Sequence, residues 1–299
     1  MMLLPASDAF NVDLNVSAAA DGFWANAAGY LWLVLRESRR ALTCNHRAVA
    51  LLEQNAPNSL GLATAYNNLG STYGHLGDHK KELEYQLKAL AIREQVLPPT
   101  HPSLATSYNN VGTTYGDLGD QVKALEFKLK ALVICEQVLP PTHPDLAASY
   151  NNVGSTYGHL GDHEKALEYQ LKALAIREQV LPPTHPDLAR SYNNVGGTYG
   201  HLGDREKALE YQLKALAIWE QSLPADHPDN VMCRINIAFT YAQMEDFIRA
   251  SEYMDRALDS AERSMKGHPN LEMYRWAAKE LARCARCQEW GEPFDNPFQ

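Results

Sequence analysis

Through the middle of the chain, apolar positions recur at helical rather than strand spacing. Leu146, Tyr150, Val153, Tyr157 and Leu160 follow one another at steps of four, three, four and three, which puts them on one side of a helix; a half-buried strand would alternate at every second residue. The stripe opens at His143-Pro144-Asp145. Proline suits a first helical turn because its missing N–H has no partner there, and Asp145 suits the positive end of the helix dipole. The stripe closes at Gly161, a residue that enters the left-handed conformation freely. Asp162 can then accept from the unpaired N–H groups of a second helix, whose apolar positions Ala166, Leu167, Ala173, Leu174, Ile176 and Leu181 run up to Pro182-Pro183. The pattern predicts a helix hairpin, with Gly154 and Ala166 small where its two helices cross most closely.

The hairpin is one of several copies. Tyr66, Tyr108, Tyr150 and Tyr192 stand 42 residues apart, each followed by two asparagines, then by Gly70, Gly112, Gly154 and Gly196, then by Tyr73, Tyr115, Tyr157 and Tyr199. The copies starting at Pro144 and Pro186 are nearly identical, the signature of internal duplication. A single hairpin cannot bury its apolar stripe, but stacked copies form a continuous core in which each touches mainly its neighbours. The expected architecture is all-α, an α-solenoid of stacked antiparallel helix hairpins.

Composition narrows the chemistry. With 27 Lys+Arg against 36 Asp+Glu, a formal net charge of −9, the chain lacks the basic footprint that nucleic acids and anionic membranes require. Neither partner is expected. Five cysteines, an odd number spread through 299 residues, suit a reduced, cytoplasmic protein better than a disulfide framework. The longest apolar stretch, Gly22 to Leu35, is shorter than a membrane span needs and is followed by Arg36, Arg39 and Arg40. It is expected to be a buried helix of the first structural unit, with a signal anchor as the alternative.

The run Tyr150-Asn151-Asn152-Val153-Gly154 through Tyr157, Leu160-Gly161-Asp162, Ala166-Leu167-Glu168 and Lys172-Ala173-Leu174 resembles a tetratricopeptide (TPR) repeat. The 42-residue period with its His-Pro-Asp connector is similar to that of kinesin light chains. This resemblance implies a right-handed TPR superhelix. Two positions depart from the family pattern: Gln86, Lys128, Gln170 and Gln212 stand where an aromatic residue is usual, and Glu94, Glu136, Glu178 and Glu220 where a proline is usual. Toward the ends the copies wear out. The expected organisation is a tail at 1–20, a degenerate helix pair at 21–56, an array of five units at 57–262 with the last degenerate, a capping helix at 263–290 and a tail at 291–299. A true kinesin light chain, whose repeats follow a long heptad coiled coil, is the less expected reading, Met1 to Ala20 being short and unpatterned for one.

At about 100° per residue, Ala148, Asn151, Ser155 and Gly158 share a second face of the first helix, with Asn152 at its margin. In TPR superhelices that face lines the concave surface. The resemblance therefore implies a peptide groove paved by Asn67, Asn109, Asn151 and Asn193, flanked by Asn68, Asn110, Asn152 and Asn194, as equivalent asparagines hold cargo peptides in kinesin light chains. An asparagine amide offers donors and an acceptor and pairs with peptide backbone whatever the side chains. Ser71, Thr113, Ser155 and Gly197, with Gly74, Gly116, Gly158 and Gly200, leave room for a close approach. Hydrogen bonds between adjacent repeats are the structural alternative for some of these asparagines. Specificity is expected where copies disagree. Arg190 replaces Thr64, Thr106 and Ala148 and would favour a carboxylate or phosphate; Asp117 replaces His75, His159 and His201 and would favour a basic residue.

Catalytic, metal and cofactor sites are not expected. Active sites are unique convergences of acid, base and nucleophile, whereas these polar residues recur once per repeat. The pairs His75/His79 and His159/His163 have ligand-like spacing, but Gly77-Asp78 and Gly161-Asp162 break the helix inside each pair. His101, His143, His185 and His227 read as turn or cap residues, and Cys284-x-x-Cys287 as a reduced helical pair. Asn296-Pro297-Phe298 resembles the tripeptide bound by EH domains. The function expected is a non-enzymatic, cytoplasmic protein-interaction module binding an extended peptide of a partner protein. The rival is a structural scaffold that self-associates through its convex face or its ends.

Overall fold

The computed structural model describes residues 18–34, 37–264 and 269–290, together with Pro297. The expected tails, including the Asn296-Pro297-Phe298 tripeptide, lie outside the described residues apart from Ala18 to Ala20 and Pro297. Among the described residues the secondary structure is helical throughout. By contacts the chain divides into two compact units, Met1–Val138 and Leu139–Gln299.

In the first unit, α1 (Ala18–Val34) pairs with α2 (Ser38–Asn55), α3 (Leu60–His75) with α4 (His79–Val96), and α5 (Pro102–Asp117) with α6 (Gln121–Val138); α2 also packs on α3, and α4 on α5. In the second, α7 (Pro144–His159) pairs with α8 (His163–Val180), α9 (Pro186–His201) with α10 (Arg205–Ser222), and α11 (Pro228–Gln243) with α12 (Phe247–Ser264), on which α13 (Leu271–Trp290) lies. Each unit is thus a run of stacked antiparallel hairpins, the α-solenoid expected from the period.

The helix ends follow the local chemistry. His101, His143, His185 and His227 are N-caps: each Nδ1 accepts from the backbone N–H two residues on, at 3.1 to 3.2 Å, with proline at the first position. The second helices of three hairpins are capped by Asp78, Asp162 and Asp204, whose Oδ1 atoms accept from the N–H groups of Lys81, Lys165 and Lys207, and Asp120 accepts likewise from Lys123. Gly77, Gly119, Gly161 and Gly203 adopt φ between 79° and 86° at the turns. The fifth copy has Glu245 at this position, at φ 61°, a conformation that costs a side-chain-bearing residue about 1 kcal/mol.

Close approach within each hairpin is real. A Cβ added to Gly154 would lie 3.0 Å from the Ala166 carbonyl oxygen and 3.2 Å from the Gln170 nitrogen, and Gly196 meets Ala208 and Gln212 at the same distances. Beside these crossings Val153, Ala166, Val195 and Ala208 are fully buried. The last helix closes the second unit. Leu271, Tyr274, Ala277, Leu281 and Cys284 of α13 are buried in a core with Ile237, Phe247 and Met254, and Gln288 accepts from Phe247 N at 3.0 Å while donating to Glu245 O at 2.8 Å.

Candidate peptide-binding face

The paired asparagines stand on the first helices of four hairpins, α3, α5, α7 and α9, and all of them are half-buried. They bond to one another between repeats. In the first unit Asn68 Nδ2 donates to Asn26 Oδ1 at 2.8 Å and Asn110 Nδ2 to Asn67 Oδ1 at 3.4 Å. In the second, Asn194 Nδ2 donates to Asn151 Oδ1 at 3.0 Å. At Asn110 and Asn194 the second asparagine of a pair therefore reaches back to the first asparagine of the repeat before, whereas Asn68 reaches the single Asn26 of α1. Asn193 Oδ1 is different, being buried without a hydrogen-bond partner. Ser71 and Ser155 are half-buried on the same face and Thr113 is exposed, its hydroxyl bonded back to Asn109 O at 3.0 Å.

The two residues singled out by disagreement among the copies are placed differently. Asp117, at the end of α5, shares a depression of about 310 Å³ with Ser71, Gly74, His75, His79 and Glu82. His79 Nδ1 lies 2.9 Å from Glu82 Oε2. That hydrogen bond, helped by the charges of Glu82, Asp117 and Asp78, holds protonated His79 above the ordinary histidine range against a smaller opposing effect of burial. At the corresponding place in the second unit His163 stacks flat on His201, ring centroids 4.6 Å apart. Arg190 is exposed, with Nη1 2.7 Å from Asp187 Oδ1.

Two sets of contacts were not anticipated from the sequence. Gln86, Gln170 and Gln212, the residues in the usual aromatic place, are buried, and their Oε1 atoms accept from Thr114, Thr198 and Thr240 of the next repeat at 2.7 to 2.9 Å. These bonds tie the second helix of one hairpin to the first helix of the next, with both partners inside the protein, where an unmade bond is costly. The signal available beforehand was that a threonine stands at the matching position of every copy. Secondly, the inner hairpins each hold a trio of aromatic rings, such as Tyr192, Tyr199 and Tyr211, with Lys207 and Lys214 over the ring faces at 5.1 to 5.9 Å. Tyr108 and Tyr192 donate to Glu94 and Glu178 of the preceding hairpin at 2.7 Å. Burial first, and the glutamate bond second, push both phenols up to about 12.

Among the described residues, no cluster of three or more His, Cys, Asp or Glu could hold a metal ion, and no helix is long and apolar enough to cross a membrane. Cys284 is buried and Cys287 half-buried on α13.

Models of the tetratricopeptide repeat match residues 62–103, 83–137, 103–179, 145–221 and 187–263. The chain belongs to the tetratricopeptide repeat family. TPR arrays are protein-interaction modules. Solved structures share this fold at low identity. A Podosopora anserina protein described as a kinesin light chain with nearly identical TPR-like repeats is 22% identical, with a TM-score of 0.60, over 67% of this chain and 95% of that one. BtubC (BKLC) from P. vanneervenii is 24% identical at a TM-score of 0.62, over 86% and 95%. The apo form of RapI is 17% identical at a TM-score of 0.64, over 90% and 99%. Among curated proteins, no sequence matches the TPR chain.

Proposed function

We propose that this TPR protein is a non-enzymatic, cytoplasmic receptor for an extended segment of a partner protein, held along the asparagine face in an adaptor or scaffold role. The observation that carries this reading is the bonding among the asparagines. Asn110 engages Asn67, and Asn194 engages Asn151, through the side-chain oxygen. The engaged residue is thereby fixed while its amide nitrogen still offers two hydrogens, enough to take a backbone carbonyl of an extended chain whatever that chain's side chains. A donor held in place before the ligand arrives loses little entropy on binding. Open space on the same face of α9, where a Cβ on Gly197 would meet nothing within 4 Å, supports a close approach by another backbone.

The test is capture of partners from cell extract by the wild type and by an Asn109→Ala, Asn151→Ala, Asn193→Ala variant with a matching circular dichroism spectrum. Partners lost from the variant alone support the reading; partners retained equally overturn it. Self-association through the ends of the array is the second reading. It is favoured by the exposed Tyr30 and Leu31 on α1 and Met273, Trp276 and Trp290 on α13, since a solenoid end needs a polar outer face to remain separate. Light scattering over a concentration series distinguishes it.

A further inference from the structure

One step of the asparagine ladder does not close. Asn110 donates to Asn67 at 3.4 Å and Asn194 to Asn151 at 3.0 Å, each time across 43 residues. The same offset leads from Asn193 on α9 to Asn236 on α11, two helices that are in contact. Here the bond is missing: Asn193 Oδ1 is buried without a hydrogen-bond partner, and among the described residues no hydrogen bond holds the half-buried Asn236 amide. The junction that carries α11 is packed by other side chains than the one before it, with Trp219 and Cys233 in the places where Arg177 donates to Ser191. One turn along α9 from Asn193, Gly197 stands where other copies have Ser71, Thr113 and Ser155, and a Cβ there would meet nothing within 4 Å. Residues four apart on a helix are neighbours on its surface. An unpaired acceptor and an opening thus lie side by side.

We propose that Asn193 and Asn236 form an open clasp for one main-chain peptide group of the partner segment, the anchoring step of the groove. The inference rests on the groove reading and adds where along the face the segment is fixed and by which group. A trans peptide group is planar and presents its N–H and its C=O in opposite directions. Set between the two asparagines, it donates to Asn193 Oδ1 on one side and accepts from Asn236 Nδ2 on the other. Asn193 presents its oxygen by turning about its side-chain bonds, a motion that no hydrogen bond to Oδ1 opposes. A buried acceptor left unmatched is costly, and the ligand relieves that cost. At the closed steps a ligand meets only the spare amide hydrogens of an asparagine whose oxygen is already engaged. The clasp requires an N–H, so proline, whose nitrogen carries none, is excluded from this place in the segment.

The test uses the full chain and a probe without side chains, capped pentaglycine, followed through the asparagine Nδ2–H signals in NMR. Saturable shifts are expected, largest at Asn193 and Asn236. The same peptide methylated at every nitrogen keeps its carbonyls but has no N–H, and should leave Asn193 unmoved. Propionamide, the amide of a glutamine side chain, should bind much more weakly. Asn193→Ala should weaken pentaglycine about tenfold, the scale of one or two lost hydrogen bonds, and Asn151→Ala much less. A second measurement needs no ligand. Because Asn193 Oδ1 bonds nothing while Asn151 Oδ1 accepts from Asn194, Asn193→Ala should leave the urea midpoint at or above that of wild type, whereas Asn151→Ala should lower it. The proposal is overturned if no saturable shift appears at Asn193, if the methylated peptide or propionamide matches pentaglycine, if the two alanine variants weaken binding equally, or if Asn193→Ala lowers the midpoint as far as Asn151→Ala. Equal weakening in the two variants would still leave the asparagine face as the binding surface, a reading that fails separately in the capture experiment.

Discussion

Adjacent glycines of α9 should respond to the same substitution with opposite signs. Gly196 faces the second helix of its own hairpin, where a new Cβ would sit 3.0 Å from Ala208 O, 3.0 Å from Gln212 Cγ and 3.2 Å from Gln212 N. Two of these neighbours are backbone, and the third belongs to a side chain tied to Thr240 at 2.9 Å, so the strain cannot be relieved by a rotamer change. Overpacking of this kind costs about 1–3 kcal/mol, offset by at most about 1 kcal/mol of improved helix propensity. Gly196→Ala should therefore destabilise by about 1–2 kcal/mol. A Cβ on Gly197 meets nothing within 4 Å, so Gly197→Ala should keep the propensity gain and stabilise by up to about 1 kcal/mol. Urea titrations of the two variants beside wild type, followed by far-ultraviolet circular dichroism, would show the midpoints moving apart at unchanged slope. Midpoints moving together, or a Gly196→Ala midpoint at or above wild type, would refute the claim that backbone contact sets the hairpin spacing.

Other consequences are open to measurement. Glu245→Gly should raise the melting temperature by relieving about 1 kcal/mol of left-handed strain, the Gln288 bond being to the backbone oxygen of residue 245; an unchanged or lower value would show that the Glu245 side chain compensates. The capping carboxyls of Asp162 and Asp204 are held below their ordinary range by their lysine partners first, and those of Asp78 and Asp120 by backbone N–H groups first. Their contribution is complete above the ordinary carboxylate pKa of about 4 and is lost as pH falls through the lower folded value. Helix loss in acid should then be shallower in Asp162→Asn, which caps without titrating, and coincident acid curves would contradict this. The Tyr192 phenol, raised to about 12, favours the fold below the ordinary tyrosine pKa of about 10, and that contribution disappears as pH rises through the folded value. Glu178→Gln should bring its ionisation down, as read from the alkaline absorbance difference against Tyr192→Phe; no change would remove the glutamate bond as a cause.

Most of each hairpin is legible in the sequence because its determinants are local. The caps at His143 and Asp162, the turn at Gly161 and the contact of Gly154 with Ala166 each depend on a few neighbouring residues and on helical geometry. The contacts between hairpins were harder to read. Gln170 looked like a departure from the family until its bond to Thr198, 28 residues away, supplied its reason. The reach of Asn194 to Asn151 likewise depends on how far one repeat is rotated against the next, and a period states only that repeats recur.

The glutamine–threonine bonds bear on how such a chain can grow. In the hairpins beginning with α3, α7 and α9, the glutamine looks forward to the threonine of whichever copy follows. Duplication or deletion of one whole 42-residue period would therefore re-form the same seam and orphan neither partner. The last junction is less exchangeable, since Trp219 replaces the arginine, Cys233 the serine, and Arg234 binds Glu220 where a tyrosine would stand. Copy number can drift among the inner repeats, whereas the final pair must be inherited together.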